Sequence, residues 1–144
     1  VASDDTLRNR LAQVAAATAG GRSFNRIGML MCTAAWQGGD AWLDELIDYL
    51  SENKRIFEDG VGKIPGLRAM QIEATYLCWV DFTNTGMDRE EFTRRVEQVA
   101  QIAVNHGNTF GAGGDTFLRF NIACRRQLVI EAVDRLTRAF SDLQ

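Results

Sequence analysis

Residues 113–123, GGDTFLRFNIA, read as a β-strand that carries two polar residues a buried strand does not need. Side chains alternate along a strand, so Leu118, Phe120 and Ile122 share one face, an ordinary core face. Phe117, Arg119, Asn121 and Ala123 share the other. That face is either a wet surface or the floor of a polar cleft. An arginine on a strand is usually a surface residue whose stem covers apolar neighbours, and spacing alone favours that reading. The functional alternative is that its planar fork receives a ligand carboxylate in two parallel charge-assisted bonds.

Working outward, the preceding GNTFGAGG (107–114) has the glycines of a phosphate cradle. It leads into a strand and lacks the Lys-Ser/Thr ending of a P-loop, so a tight connection is the better reading. GLRAMQI (66–72) and TYLCWVDF (75–82) are β-branched or aromatic runs and read as strands. In the second, Tyr76, Cys78, Val80 and Phe82 share a face, opposite Leu77, Trp79 and Asp81.

MDREEF opens a helix to about Ile102, with Asp88 and Glu91 as a capping box and Met87 and Phe92 as a hydrophobic staple. Its inward residues are Phe92, Val96 and Val99. RQLVIEAVDRLTRAF is an amphipathic helix with Leu128, Ala132, Val133, Leu136 and Phe140 inward, entered through a solvated Arg125-Arg126 pair.

Upstream, Asp40 caps a long helix whose stripe is Leu43, Ile47, Leu50 and Phe57, ended by Gly60 and Pro65. Ser23 to about Gln37 is a helix apolar on nearly every side, which must be covered by another segment or subunit. Before it, Leu7, Leu11, Val14 and Thr18 fall at helical spacing between capping residues and a glycine pair. The order is three helices, then strand, strand, helix, strand, helix, an α+β arrangement.

The 144 residues, 46% hydrophobic and 24% charged, fit a soluble globular chain. No apolar run approaches the ~18 residues of a membrane span, and no signal peptide is recognisable. The chain opens on Val1 and reads as a piece of something longer. A net charge of −3 without a basic stripe argues against a nucleic-acid partner. Cys32, Cys78 and Cys124 are expected to be reduced core residues of a cytoplasmic protein. One histidine, His106, leaves no metal site and no Ser-His-Asp arrangement. Asp44, Glu45 and Asp48 read as a solvated helix face.

Three blocks in order resemble one known family: GDAWLDELIDYLSENKRIFEDGV, IPGLRAMQIEATYLCWVDF and NTFGAGGDTFLRFNIA. They look like the C-terminal part of fold type I pyridoxal phosphate enzymes, in particular the MalY/PatB-type cystathionine β-lyases, carbon–sulfur lyases often described as aminotransferases. The resemblance implies an α+β small domain over 40–144, opened by a long linking helix, with a short, mostly antiparallel sheet covered by helices. Residues 1–39 would be a helical remnant of the large cofactor-binding domain.

In that family G-x-x-F-G-x-x-G-x-x-F-x-R-x-N-x-A carries the arginine that holds the substrate α-carboxylate. Here that arginine is Arg119, followed by Asn121 as the pattern expects, and the resemblance makes Arg119, Asn121 and Asn25 the candidate substrate-binding residues. Asn25, in SFNRIG, resembles a position near the neighbouring subunit's active site in such dimers. Arg125 departs from the family's usual proline, and His106 has no family counterpart. The resemblance implies pyridoxal phosphate for the parent enzyme, an amino-acid substrate such as cystathionine or cysteine, and a homodimer, with no nucleic acid and no membrane.

The cofactor lysine of the family sits in an upstream Ser-x-x-Lys stretch, whose context Lys54 and Lys63 lack. The implied chain therefore has no catalytic residue, does not bind the cofactor specifically, and is inactive alone. The alternatives are an aminotransferase of the same fold, or the non-enzymatic aminotransferase-like sensor of a transcription regulator.

Overall fold

The computed structural model describes residues 4–18 and 25–143, so the helix start expected at Ser23 and the glycine pair at 20–21 lie outside it. The chain divides into two compact units, Val1–Leu43 and Asp44–Gln144.

In the first unit, helix α1 spans Asp5–Thr18, and the Asp4 carboxylate accepts from the Leu7 N–H at 2.8 Å. That bond satisfies one of the orphan donors of the first turn. Helix α2 spans Arg26–Gly38 and is capped by Asn25, whose side-chain oxygen accepts from the Gly28 N–H at 3.0 Å. No α2 residue is buried; Ile27, Leu30, Met31 and Trp36 are all exposed.

Helix α3, Asp40–Val61, crosses from one unit into the other. Asp40 is its first helical residue, not its cap: the Gly39 carbonyl accepts from the Leu43 N–H, so Gly39 occupies the capping position. An acidic side chain in the first turn still favours the helix dipole. The expected stripe is also corrected. Leu43 and Ile47 are exposed and Leu50 is half-buried, because burial in α3 starts only at Asn53 and continues through Phe57 and Val61.

The second unit is built on four strands: β1 (Arg68–Ala69), β2 (Leu77–Asp81), β3 (Asn105–His106) and β4 (Phe117–Asn121). They form one antiparallel sheet in the order β1-β2-β4-β3. The strand expected over 66–72 is thus reduced to two residues, and β3 lies in what reads from sequence as a loop. The alternation of the other two strands holds: Cys78 and Val80 on β2, and Leu118 and Phe120 on β4, are buried together.

Four phenylalanines fill the core beneath them, Phe57, Phe82, Phe92 and Phe140, all at most 1% exposed. Phe82 stacks on Phe92 at 4.7 Å and Phe57 meets Phe120 at 5.3 Å. Each such side chain contributes about 1.5–3 kcal/mol on burial.

Helix α4 (Arg89–Arg94) starts at Asp88, whose carboxylate accepts from the Glu91 N–H at 2.8 Å. Only half of the capping box forms, since Glu91 turns to the guanidinium groups of Arg94 and Arg95. The helix then widens into a π-helical turn over Arg95–Val99. The extra residue in that turn advances the phase, so Ala100 is buried and Val99, expected inward, is exposed. Gln101 adopts a φ of 56°, which ends the helix before Ile102.

Helix α5 (Arg126–Ala139) covers the core with Val129, Leu136 and Ala139. Leu128 is exposed because Val129, seven residues before Leu136, is the one in phase with it. Arg126 is not simply solvated: its guanidinium lies over the Tyr49 ring at 4.5 Å, and its backbone N–H donates to the Tyr49 hydroxyl at 2.8 Å.

Candidate functional site

The sheet's second face carries a row that crosses it from edge to edge. Directly opposed residues in antiparallel strands share a face. Trp79 faces Arg119, and Arg119 faces Asn105. The Met70 N–H donates to the Trp79 carbonyl at 2.8 Å and extends the row toward β1. Alternation makes this the face that the core does not use.

Within the row, Arg119 is half-buried and held on two sides. Its Nη2 donates to the Asn105 side-chain oxygen at 2.9 Å, and its guanidinium carbon lies 4.4 Å from the centre of the Phe110 ring. Its Nε is buried with no hydrogen-bond partner among the described residues. Trp79 braces the assembly, meeting Phe110 edge-on at 5.2 Å and Phe117 at 6.3 Å.

Two hollows flank this row. One, of about 260 Å³, is lined by Arg119, Trp79, Leu77 and the 71–75 connection, including Glu73 and Thr75. The other, of about 350 Å³, is apolar and lies among Met70, Trp79, Phe110, Phe117 and the glycines of 111–114. The glycine-rich connection is indeed tight. A Cβ on Gly107 would stand 2.3 Å from the Gly114 carbonyl oxygen, so the two glycines let the backbone close on itself. That closure delivers Phe110 beneath Arg119.

Asn121 shares the face of Arg119, but its side-chain oxygen accepts from the Ala123 N–H at 2.9 Å and turns the chain out of β4. Asn25 belongs to the first unit, with its oxygen engaged by the α2 cap. Asn105 and Phe110 are functional candidates that sequence reasoning missed. A two-residue strand has no periodicity to detect, and the only signal was a polar residue just before the glycine-rich run.

Other chemistry is weaker. Burial pushes the Cys78 thiol up to about 12, with the Glu58 charge adding to it, so it is no nucleophile at neutral pH. Only Cys78 is the buried thiol expected of all three cysteines; Cys32 is exposed and Cys124 half-buried. Asp44, Glu45 and Asp48 are exposed, and no metal-binding group of three His, Cys, Asp or Glu occurs among the described residues. His106 Nε2 lies 2.8 Å from Glu97, a partner on the π-helical turn. No described helix is long and apolar enough to cross a membrane.

No family model matches the chain. It is similar to cystathionine β-lyase PatB of Bacillus subtilis, 29% identical over 119 residues, which is 82% of this chain and 31% of that protein. Protein MalY of Escherichia coli is 31% identical over 107 residues, 74% of this chain and 27% of MalY. Among solved structures, cystalysin from Treponema denticola, which contains a pyridoxal 5'-phosphate cofactor, superposes with a TM-score of 0.86 at 32% identity. That match covers 100% of this chain and 36% of cystalysin. The chain spans about a third of the length of the curated relatives it matches. On sequence and fold together, the chain belongs with the MalY/PatB-type cystathionine β-lyases and their aminotransferase relatives, as a C-terminal part of that fold.

Proposed function

We propose that this chain is the part of a pyridoxal phosphate-dependent carbon–sulfur β-lyase that binds the carboxylate of its amino-acid substrate. One observation carries the reading. Arg119 lines a hollow with its guanidinium fixed by Asn105 and Phe110 and its Nε buried without a partner. A buried charged donor left unpaired is costly, and a carboxylate entering the hollow would satisfy it. Arg119 then binds and orients the substrate; it moves no proton.

Pyridoxal phosphate, when bound, supplies an electron sink at the substrate Cα. Lys54 Nζ lies 3.9 Å from Glu58, Lys63 is exposed, and neither lines the hollows beside Arg119. On this reading the cofactor lysine belongs to sequence outside these 144 residues, and the chain alone is inactive. The parent acts in the cytoplasm as a homodimer, with Asn25 near the neighbouring subunit's site and Asn121 shaping the end of β4. A carboxylate clamp serves an aminotransferase equally well, and aspartate aminotransferase of Pyrococcus horikoshii is among the relatives at 23% identity.

Replacing Arg119 with alanine in the full-length enzyme tests the assignment. Hydrogen bonds to charged groups are worth roughly 1.5–3 kcal/mol, so KM for the amino acid is expected to rise about ten- to a hundredfold. Arg119→Lys recovers only part of the loss, because an ammonium cannot reproduce the two-point fork. An unchanged KM in a folded Arg119→Ala enzyme overturns the reading.

A further inference from the structure

Resting on that reading of Arg119, we infer that Asn105 and Phe110 are its positioning residues, and that the two-residue strand β3 places Asn105 to aim the guanidinium before substrate arrives.

An arginine side chain has many rotamers, and each one lost on binding weakens the complex. A free arginine on an open strand face would therefore bind a carboxylate poorly. Here two contacts narrow its choices, and a third holds one of those partners in place. Asn105 lies directly across from Arg119 in the sheet register and takes one Nη2 hydrogen at 2.9 Å. The Phe110 ring lies beneath the guanidinium, its centre 4.4 Å from Cζ, delivered there by the Gly107–Gly114 closure. Trp79, opposite on the other neighbouring strand, stands edge-on against Phe110 and stops that ring from swinging away.

The acceptor's chemistry matters as much as its place. Asn105 offers a neutral carbonyl oxygen, which orients the guanidinium without cancelling its charge. A carboxylate at the same position would orient it equally well and compete with the substrate for it. Meanwhile the Nε–H is buried and without a partner among the described residues, so the Asn105 contact at Nη2 leaves that donor uncommitted. The remainder of β3 explains why so short a strand persists at the sheet edge. His106 pairs across to Leu118 and its ring reaches Glu97 at 2.8 Å, so β3 is pinned at the residue immediately after Asn105.

The test uses the full-length holoenzyme and two probes, the substrate amino acid and the corresponding amine without its carboxylate. The dissociation constant of each is read from the absorbance change of the bound cofactor. Asn105→Ala is expected to weaken the amino acid about three- to tenfold and leave the amine unchanged, since only the oriented carboxylate contact is loosened. Asn105→Asp, nearly the same size and so the safer fold, weakens the amino acid more than Asn105→Ala does. Phe110→Leu weakens it too, while Phe110→Tyr, which keeps the ring face, restores it.

A merely structural role would lower the melting temperature and weaken both probes alike, and that result overturns the inference. So does amino-acid affinity at the wild-type level in Asn105→Ala or Asn105→Asp. Arg119→Ala, measured in parallel, separates the two claims. If it too leaves the amino acid unaffected, the carboxylate reading itself fails; if it alone weakens the amino acid, only the positioning claim fails.

Discussion

Helices α2 and α5 have nearly the same length, 13 and 14 residues, yet they live in opposite surroundings. Helix α5 is amphipathic and buries Val129, Leu136 and Ala139 in the core of its unit. Helix α2 is the more apolar of the two and buries nothing: Leu30 is 67% exposed and Trp36 82%. Hydrophobic content therefore says that a helix wants cover, whereas a single apolar stripe says in which direction the cover lies. Sequence carries the second kind of information for α5 and only the first kind for α2.

The two units' surroundings can be compared most sharply through one thiol from each. Cys32 is exposed on α2, while Cys78 lies fully buried on β2 with its thiol pushed up to about 12. In the 144-residue chain at pH 8, Cys32 should react with a thiol reagent at the rate of a free cysteine. Cys78 should react only through unfolding, and a stability of about 5 kcal/mol would protect it by a factor of a thousand or more. Mass spectrometry of partly labelled protein reads the order. Equal rates would mean that the two surroundings do not differ as described. A slow Cys32 would mean that α2 is covered in solution, as self-association would cause.

Truncation gives the next largest difference. Leu136 is fully buried, and Leu136→Ala should cost about 2–5 kcal/mol through lost burial and the cavity left behind. Leu30→Ala should change stability by no more than about 0.5 kcal/mol, as surface substitutions do. Denaturant melts of the two variants measure the contrast. A large loss in Leu30→Ala would again report a covering partner.

How far these features could be read in advance depended on how much regular chain each one had. Strands β2 and β4 show their alternation over five residues each, and Cys78, Val80, Leu118 and Phe120 are buried as that alternation requires. Arg119 was legible as the odd residue on the outer face, because a strand's two faces can be written down from sequence. Asn105 was not, since its strand has two residues and its meaning lies in the register with Arg119. Val99 and Leu128 were misplaced for a different reason: each sits one residue away from the true inward position. A π-helical turn shifts one helix, and the starting phase of α5 sets the other, and neither is encoded in apolar spacing alone. Leu43 and Ile47 fit the stripe of α3 perfectly well; what the sequence could not say was how far along α3 the core extends.

The smallest expected difference concerns pH, and it belongs to the second unit alone. Asp81 is 7% exposed, and burial by itself would raise its carboxyl. The Thr83 hydroxyl at 2.6 Å and backbone N–H at 2.9 Å, with Arg68 at 3.1 Å, outweigh that effect and hold the pKa below its ordinary value. Glu91, bonded by Arg94 and Arg95, is lowered to about 2. Groups with depressed folded pKa values release their protons more easily in the native state than in the unfolded chain. Their stabilisation is complete above the unfolded pKa, about 4, and is lost as pH falls through the folded values. The second unit should therefore keep its full stability from pH 7 down to about 5 and lose it progressively below. Asp81→Asn keeps the shape and gives up the charge, so it should be less stable at pH 7 and fall less steeply between pH 5 and 3. Glu91, being at the surface, should contribute the lesser share, and added salt should erase its part first. Thermal melts of wild type, Asp81→Asn and Glu91→Gln across this range decide it. Parallel curves for wild type and Asp81→Asn would show that the Thr83 and Arg68 contacts do not set the acid limit of this unit.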